Sequence, residues 1–96
     1  MMSLAITLFA ESNRNGVILG SLMTPGGEPV DYACVFLKGT SSAVTTDISG
    51  SYALSAPEGN YVIVCSSVGF VSKEVPVEIK AGQRLMLDVS LSPSNE

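Results

Sequence analysis

The sequence has no histidine, no tryptophan and only two cysteines, and charged side chains fill just 15% of its 96 positions. Each shortage excludes something. Without histidine the chain lacks the commonest general base and the commonest metal ligand. Two thiols cannot build a four-thiolate zinc site, and they are too few for a disulfide-dense scaffold. Five Lys and Arg against nine Asp and Glu leave a net charge of −4, the wrong sign for binding nucleic acid, since phosphates need clustered cations. No apolar run reaches the about 20 residues that a membrane-spanning helix requires. A small stand-alone enzyme is a poor fit to this inventory. What the chain does have is apolar mass: hydrophobic residues make up 46% of it, which excludes disorder for most of its length. The length allows one domain, and such a chain buries only about 60–65% of its unfolded surface, so the core must be efficient.

The first ten residues, MMSLAITLFA, are apolar or small and carry no charge. They match the apolar part of a secretory leader that ends in a small residue, Ala10, before the polar run Glu11 to Asn15. No Lys or Arg precedes them, and bulky Leu8 stands where a cleavage site favours a small residue. The expectation is a leader remnant or disordered tail over residues 1–15, with a mature chain that is exported. An N-terminal strand is the alternative.

From Gly16 onward the punctuation consists of turns. Pro25-Gly26-Gly27-Glu28-Pro29 can be neither helix nor central strand, because proline lacks a donor and glycine supplies positive φ. Further breaks fall at 39–42, 47–50, 56–60, Gly69 and Ala81-Gly82. Between them lie short runs rich in Val, Ile, Leu, Tyr and Thr, residues that mostly suit a pleated half-buried surface. The pattern predicts strands over 17–23, 32–38, 42–47, 51–55, 60–68, 71–80 and 84–92. Turns this dense leave no room for an ordinary helix.

Side-chain alternation assigns the buried face. Ala33, Val35 and Leu37 share one side of the second run, with Tyr32, Cys34, Phe36 and Lys38 on the other. Val75, Val77 and Ile79 alternate with Glu74, Pro76 and Glu78, and Pro76 marks this strand as an edge. Leu85, Leu87, Val89 and Leu91 give the clearest period-two pattern. Tyr61 to Cys65 is apolar throughout, as a central strand would be. Seven strands with one apolar face each bury those faces by packing as two sheets about 10 Å apart. The expected class is all-β, a small antiparallel sandwich. In it Cys65 points inward and Cys34 outward, which argues against a disulfide between them and for two thiols.

These residues also form an ordered set of motifs: Gly20, Pro25-Gly26-Gly27-Glu28-Pro29-Val30, Ala33 to Thr40, Thr46-Asp47-Ile48-Ser49-Gly50-Ser51-Tyr52, Pro57-Glu58-Gly59-Asn60-Tyr61, and Val68-Gly69-Phe70. From Val17 to Leu91 the chain resembles the carboxypeptidase regulatory-like domain. The resemblance implies a seven-stranded Greek-key sandwich of the transthyretin (prealbumin) type over residues 16–92, with residues 93–96 as a linker. Asp47, Gly50, Gly59 and Gly69 are then structural turn residues, and a single carboxylate at Asp47 suits a tight turn better than a calcium site. The copy most similar to this sequence stands at the N-terminus of Bacteroidetes-type TonB-dependent outer-membrane receptors for siderophore or glycan uptake. That likeness implies a periplasmic, non-catalytic, monomeric accessory domain without a cofactor or metal. It would act as a spacer or docking module and would not itself insert into the membrane. Its partners would be the plug and barrel of the receptor and a periplasmic protein.

Three other readings compete. A cysteine nucleophile would need a base partner, and none stands near Cys34 or Cys65 in the sequence. An adhesin-type sandwich with a Lys–Asn isopeptide bond would need a lysine in the first strand, where there is none. A free-standing transthyretin-like interaction domain, or the accessory domain of another cell-surface protein, stays open. Its partner edge would involve Tyr32, Phe36, Lys73 and Glu78, although exposed apolar residues scattered singly are ordinary.

Overall fold

The structure is a computed structural model that describes residues 15–94, so the leader-like stretch and the last two residues of the expected linker lie outside the described residues. It contains eight strands and no helix among those residues: β1 (Asn15–Met23), β2 (Cys34–Leu37), β3 (Ala43–Thr45), β4 (Ser51–Pro57), β5 (Gly59–Ser66), β6 (Lys73–Ile79), β7 (Arg84–Met86) and β8 (Val89–Ser90). One sheet has the order β4-β1-β7, with β8 also paired to β1; the other has the order β3-β2-β5-β6. The chain crosses between sheets at β1–β2, β3–β4, β4–β5 and β6–β7, so β5 returns to lie beside β2. This is the all-β sandwich that the turns and alternation predict.

The strands form where apolar residues recur every second position. In β4, Tyr52, Leu54 and Ala56 are buried while Ser51, Ala53, Ser55 and Pro57 are exposed. In β2, Val35 and Leu37 are buried, and Val75, Val77 and Ile79 turn the same way in β6. The core between the sheets includes Ile18, Leu22, Leu37, Ile63 and Leu91, all fully buried, each contributing about 1.5–3 kcal/mol by leaving water. β6 is an edge strand and carries Pro76 opposite Val62. β5 is central in its sheet, and Val64 is buried although it lies on the outward face.

Every ladder is antiparallel except the two that β1 makes with β7 and β8. Successive strands alternate in direction, and an odd number of runs leaves the first and last pointing the same way. They are neighbours, so they pair in parallel. The last run also splits in two, where the sequence predicts one strand over 84–92. Its break is built around one carbonyl. Leu87 O accepts from Tyr52 Oη at 2.6 Å, Leu87 N donates to Leu19 O at 2.7 Å, and Asp88 Oδ1 accepts from Ser21 N at 3.0 Å. Gly20 lies beneath this turn, and a Cβ there would sit 1.7 Å from Leu87 O.

Two boundaries move. Asn15 belongs to β1, opposite Pro57, so the strand reaches into the stretch expected to be a tail. Pro93 and Ser94, expected in the linker, are held on the sandwich: Pro93 bridges Phe70, and Ser94 N donates to Gly69 O at 2.8 Å. Phe70 itself is half-buried and packs against the core.

Candidate functional site

The sandwich has two unlike ends. At the entry end, Asn15 begins β1 beside Pro57, and Gly82 N donates to Asn15 O at 2.9 Å. At the exit end, β1, β3 and β5 finish, β2, β4 and β6 begin, and the described chain leaves through Pro93 and Ser94.

Four segments build the exit end, and hydrogen bonds tie most of them together. Thr46 is its hub. The buried Thr46 hydroxyl donates to Val30 O at 2.9 Å and accepts from Ala33 N at 2.8 Å, so both lone backbone groups are satisfied. Thr46 O also accepts from Tyr32 N at 3.1 Å. Tyr32 itself has φ +55, an uncommon conformation for a bulky residue, and its side chain is 70% exposed. The backbone bonds on both sides hold it there.

The turn that follows is organised by one carboxylate. Asp47 Oδ1 accepts from Ser49 Oγ at 2.8 Å, Ser49 N at 3.0 Å and Ser51 N at 2.9 Å. The Ser49 hydroxyl, followed by the Ser51 amide, holds the Asp47 carboxyl below the ordinary carboxylate range. Gly50 closes the turn at φ +80, and a Cβ there would meet Leu22 O at 2.5 Å. Both facts require glycine. The β5–β6 connection turns at Gly69, with Phe70 N donating to Ser67 O at 3.1 Å, and it lifts Val68 fully into solvent. Gly59 belongs to the entry end, where Tyr61 Oη donates to Pro57 O at 2.7 Å.

The four residues expected at a partner edge do not form one surface. Tyr32 and Lys73 lie toward the exit end. Glu78 pairs with Asn60 at the entry end, about 17 Å along β6 from Lys73 by strand rise. Phe36 stands mid-sheet, half-buried, opposite Val64. Lys38 Nζ meets Glu74 Oε2 at 3.3 Å, and the register places this pair across β5, over the Val62–Val64 strip. A shallow depression beside it is lined by Lys38, Asn60, Val62, Pro76 and Glu78. Its walls have no buried charge and no nucleophile.

Both cysteines are free thiols, Cys34 exposed and Cys65 buried. Burial pushes the Cys65 thiol up to about 11. Burial likewise raises the Tyr52 hydroxyl above its ordinary value. Among the described residues, no group of three or more His, Cys, Asp and Glu could hold a metal ion. Sequence reasoning missed Ile48, Val68 and Val71, which are exposed at the exit end. For Ile48 the available signal was an apolar residue inside a turn segment next to Asp47, whereas Val68 and Val71 fall at the ends of the strands predicted over 60–68 and 71–80, and β5 stops at Ser66 while β6 starts at Lys73. It also missed Thr46 as a buried hydroxyl, for which alternation gives no cue.

Fold and surface define a small β-sandwich module whose distinctive features are its two ends. The chain belongs to the CarboxypepD_reg-like domain family, which matches residues 18–96. It is similar to the TonB-dependent receptor SusC of Bacteroides thetaiotaomicron, 38% identical over 74 residues, covering 77% of this chain and 7% of that protein. It is also similar to the TonB-dependent receptor P39 of Formosa agariphila, 29% identical over 98 aligned positions, covering 100% of this chain and 9% of the receptor. The chain therefore spans less than a tenth of these relatives. Among solved structures it matches a point mutant of the catechol 1,2 dioxygenase of Acinetobacter radioresistens at a TM-score of 0.70 and 11% identity, covering 91% of this chain and 54% of that one. That likeness is one of fold alone.

Proposed function

We propose that this domain is a non-catalytic accessory module of a TonB-dependent receptor, working as an in-line spacer on the periplasmic side of the outer membrane. The family match and the receptor relatives support the receptor setting. The observation that carries the spacer role is the path of the chain, which enters at Asn15 at one end and leaves at Ser94 at the other. β1 alone has nine residues, a span of about 30 Å by strand rise. A rigid sandwich inserted this way fixes the separation between the segments it joins. A side appendage, with both ends together, would not.

The test is replacement in the full-length receptor. Residues 16–92 are exchanged for an unrelated rigid domain with termini at opposite ends and a similar span, and separately for a short Gly/Ser linker. Uptake of the receptor's substrate, siderophore or glycan, is then followed. The rigid exchange should retain uptake and the short linker should lose it. Loss with both would mean that the surface of this domain matters beyond its length, as docking to a separate periplasmic protein would require.

A further inference from the structure

The exposed apolar side chains are distributed unevenly. Six large ones stand exposed among the described residues: Met23, Tyr32, Ile48, Val68, Val71 and Met86. Five of them lie at the exit end, and only Met86 lies elsewhere, on the outer face of the first sheet. Among the described residues the entry end has none; those exposed there include Lys38, Glu58, Asn60 and Lys80. Tyr32, Ile48 and Val68 are 70%, 75% and 99% exposed, values unusual for residues that could have been replaced by polar ones at no cost to the core. Scattered apolar residues are normal; a concentration at one end marks a contact surface.

Two further observations say what covers it. Tyr32 is presented from a left-handed backbone that glycine would occupy without strain, and the Thr46 bonds hold it in place. Strain of this kind persists where the surroundings over-determine it. An exposed tyrosine is also the type of residue that anchors protein interfaces. The described chain also leaves through this same patch. Ser94 N is bonded to Gly69 O, next to Val68, and Val71 N is bonded to Ser92 O at 2.9 Å. Whatever polypeptide continues from here starts within reach of Val68 and Val71.

We infer that the exit end of the sandwich docks against the neighbouring domain of the same receptor chain, burying Tyr32, Ile48, Val68 and Val71 in an intramolecular interface. The inference rests on the receptor reading above, since it takes the occupant from the nine-tenths of the relatives that this chain does not span. The tethered partner is favoured because a short connection gives it a high effective concentration at this surface.

The test uses thiol labelling in the full-length protein. Val68→Cys and Met86→Cys are made separately in a Cys34→Ser background, and each site is quantified by peptide mass after maleimide treatment. Each rate is divided by its own rate in denaturant. Val68→Cys should label at least ten-fold more slowly than Met86→Cys, and the ratio should hold across a hundred-fold range of protein concentration. Equal normalised rates overturn the inference. Protection of Val68→Cys that fades on dilution overturns it too, because it identifies a second copy or a separate partner as the occupant. Fractionation of the same full-length protein tests the receptor reading independently. A protein that does not partition as an outer-membrane barrel sinks that reading, while the labelling ratio still decides whether the exit end is covered within the chain.

Discussion

Gly20 offers the most exacting check on this structure, because its replacement by alanine is sterically specific. A Cβ at this position would lie 1.7 Å from Leu87 O and 3.1 Å from Tyr52 Oη. To restore ordinary contact, the Leu87 carbonyl must retreat by roughly 1.5 Å. That carbonyl accepts the Tyr52 hydroxyl at 2.6 Å, and the amide of the same residue makes a 2.7 Å bond to Leu19. Overpacking of this kind costs about 1–3 kcal/mol, and each weakened hydrogen bond adds about 1 kcal/mol. Gly20→Ala is therefore expected to destabilise the domain by about 2–4 kcal/mol, a large share of the roughly 5–10 kcal/mol that a domain of this size has. Urea unfolding followed by tyrosine fluorescence measures it as a fall in midpoint with unchanged slope. Tyr52→Phe alone should cost about 1–1.5 kcal/mol. The double variant should cost less than the sum, because both substitutions strike the same Leu87 oxygen. A Gly20→Ala midpoint equal to that of the parent, or strict additivity with Tyr52→Phe, would refute the placement of Leu87 over Gly20.

Thr46→Val preserves shape but leaves the Val30 carbonyl and the Ala33 amide without their buried partner, so a loss of about 2–4 kcal/mol is expected, largely recovered by Thr46→Ser in the same urea assay. The depressed Asp47 carboxyl strengthens the folded state at any pH above its ordinary value, and that contribution disappears as pH falls through the lower, folded value. Asp47→Asn should accordingly flatten the acid limb of stability below about pH 4, and an unchanged limb would count against the turn. At pH 8 the native chain should take up one iodoacetamide, at exposed Cys34, and a second only in denaturant, because Cys65 is buried with its thiol pushed up to about 11. Intact mass reads both steps, and a chain unreactive until reduced would reveal a disulfide. Glu74→Ala removes an ion pair whose side chains are more than half exposed, so it should shift stability by less than about 1 kcal/mol.

The fold was legible in the sequence wherever burial alone decides the side chain. Val35 and Leu37 on one face and opposite directions for Cys34 and Cys65 follow from period two, because a strand has only two faces, and Pro76 marks an edge because it has no N–H to give a ladder. The split of the last run was not legible. Leu85, Leu87, Val89 and Leu91 alternate without a fault, and the break between β7 and β8 answers to a distant glycine and tyrosine that place the Leu87 carbonyl. Side-chain patterns do not encode where a backbone oxygen finds its donor. For the same reason Tyr32, Phe36, Lys73 and Glu78 could be read as outward but not as neighbours. Outwardness is local, whereas adjacency needs the register of β2, β5 and β6, which places Lys73 and Glu78 at opposite ends of one strand.

One topological fact links the parallel pairing to the proposed role. Strands that alternate in direction bring both chain ends together when their number is even and separate them when it is odd. Here the runs number seven once β7 and β8 are taken as one interrupted run, so Asn15 and Ser94 must lie at opposite ends, and the first and last runs, being neighbours, must be parallel. An antiparallel partner for β1 in place of β7 would need one more or one fewer reversal, and it would turn an in-line element into a side branch. The register Val17↔Arg84, Ile18↔Leu85 and Leu19↔Met86 is therefore where the spacer reading can fail. Cysteines placed at Val17 and Arg84, both on the outer face, should cross-link under mild oxidation with the domain still folded, whereas cysteines at Val17 and Asp88 should not. Efficient coupling of the second pair and none of the first would reverse the strand, bring the two ends together, and remove the basis for an in-line role.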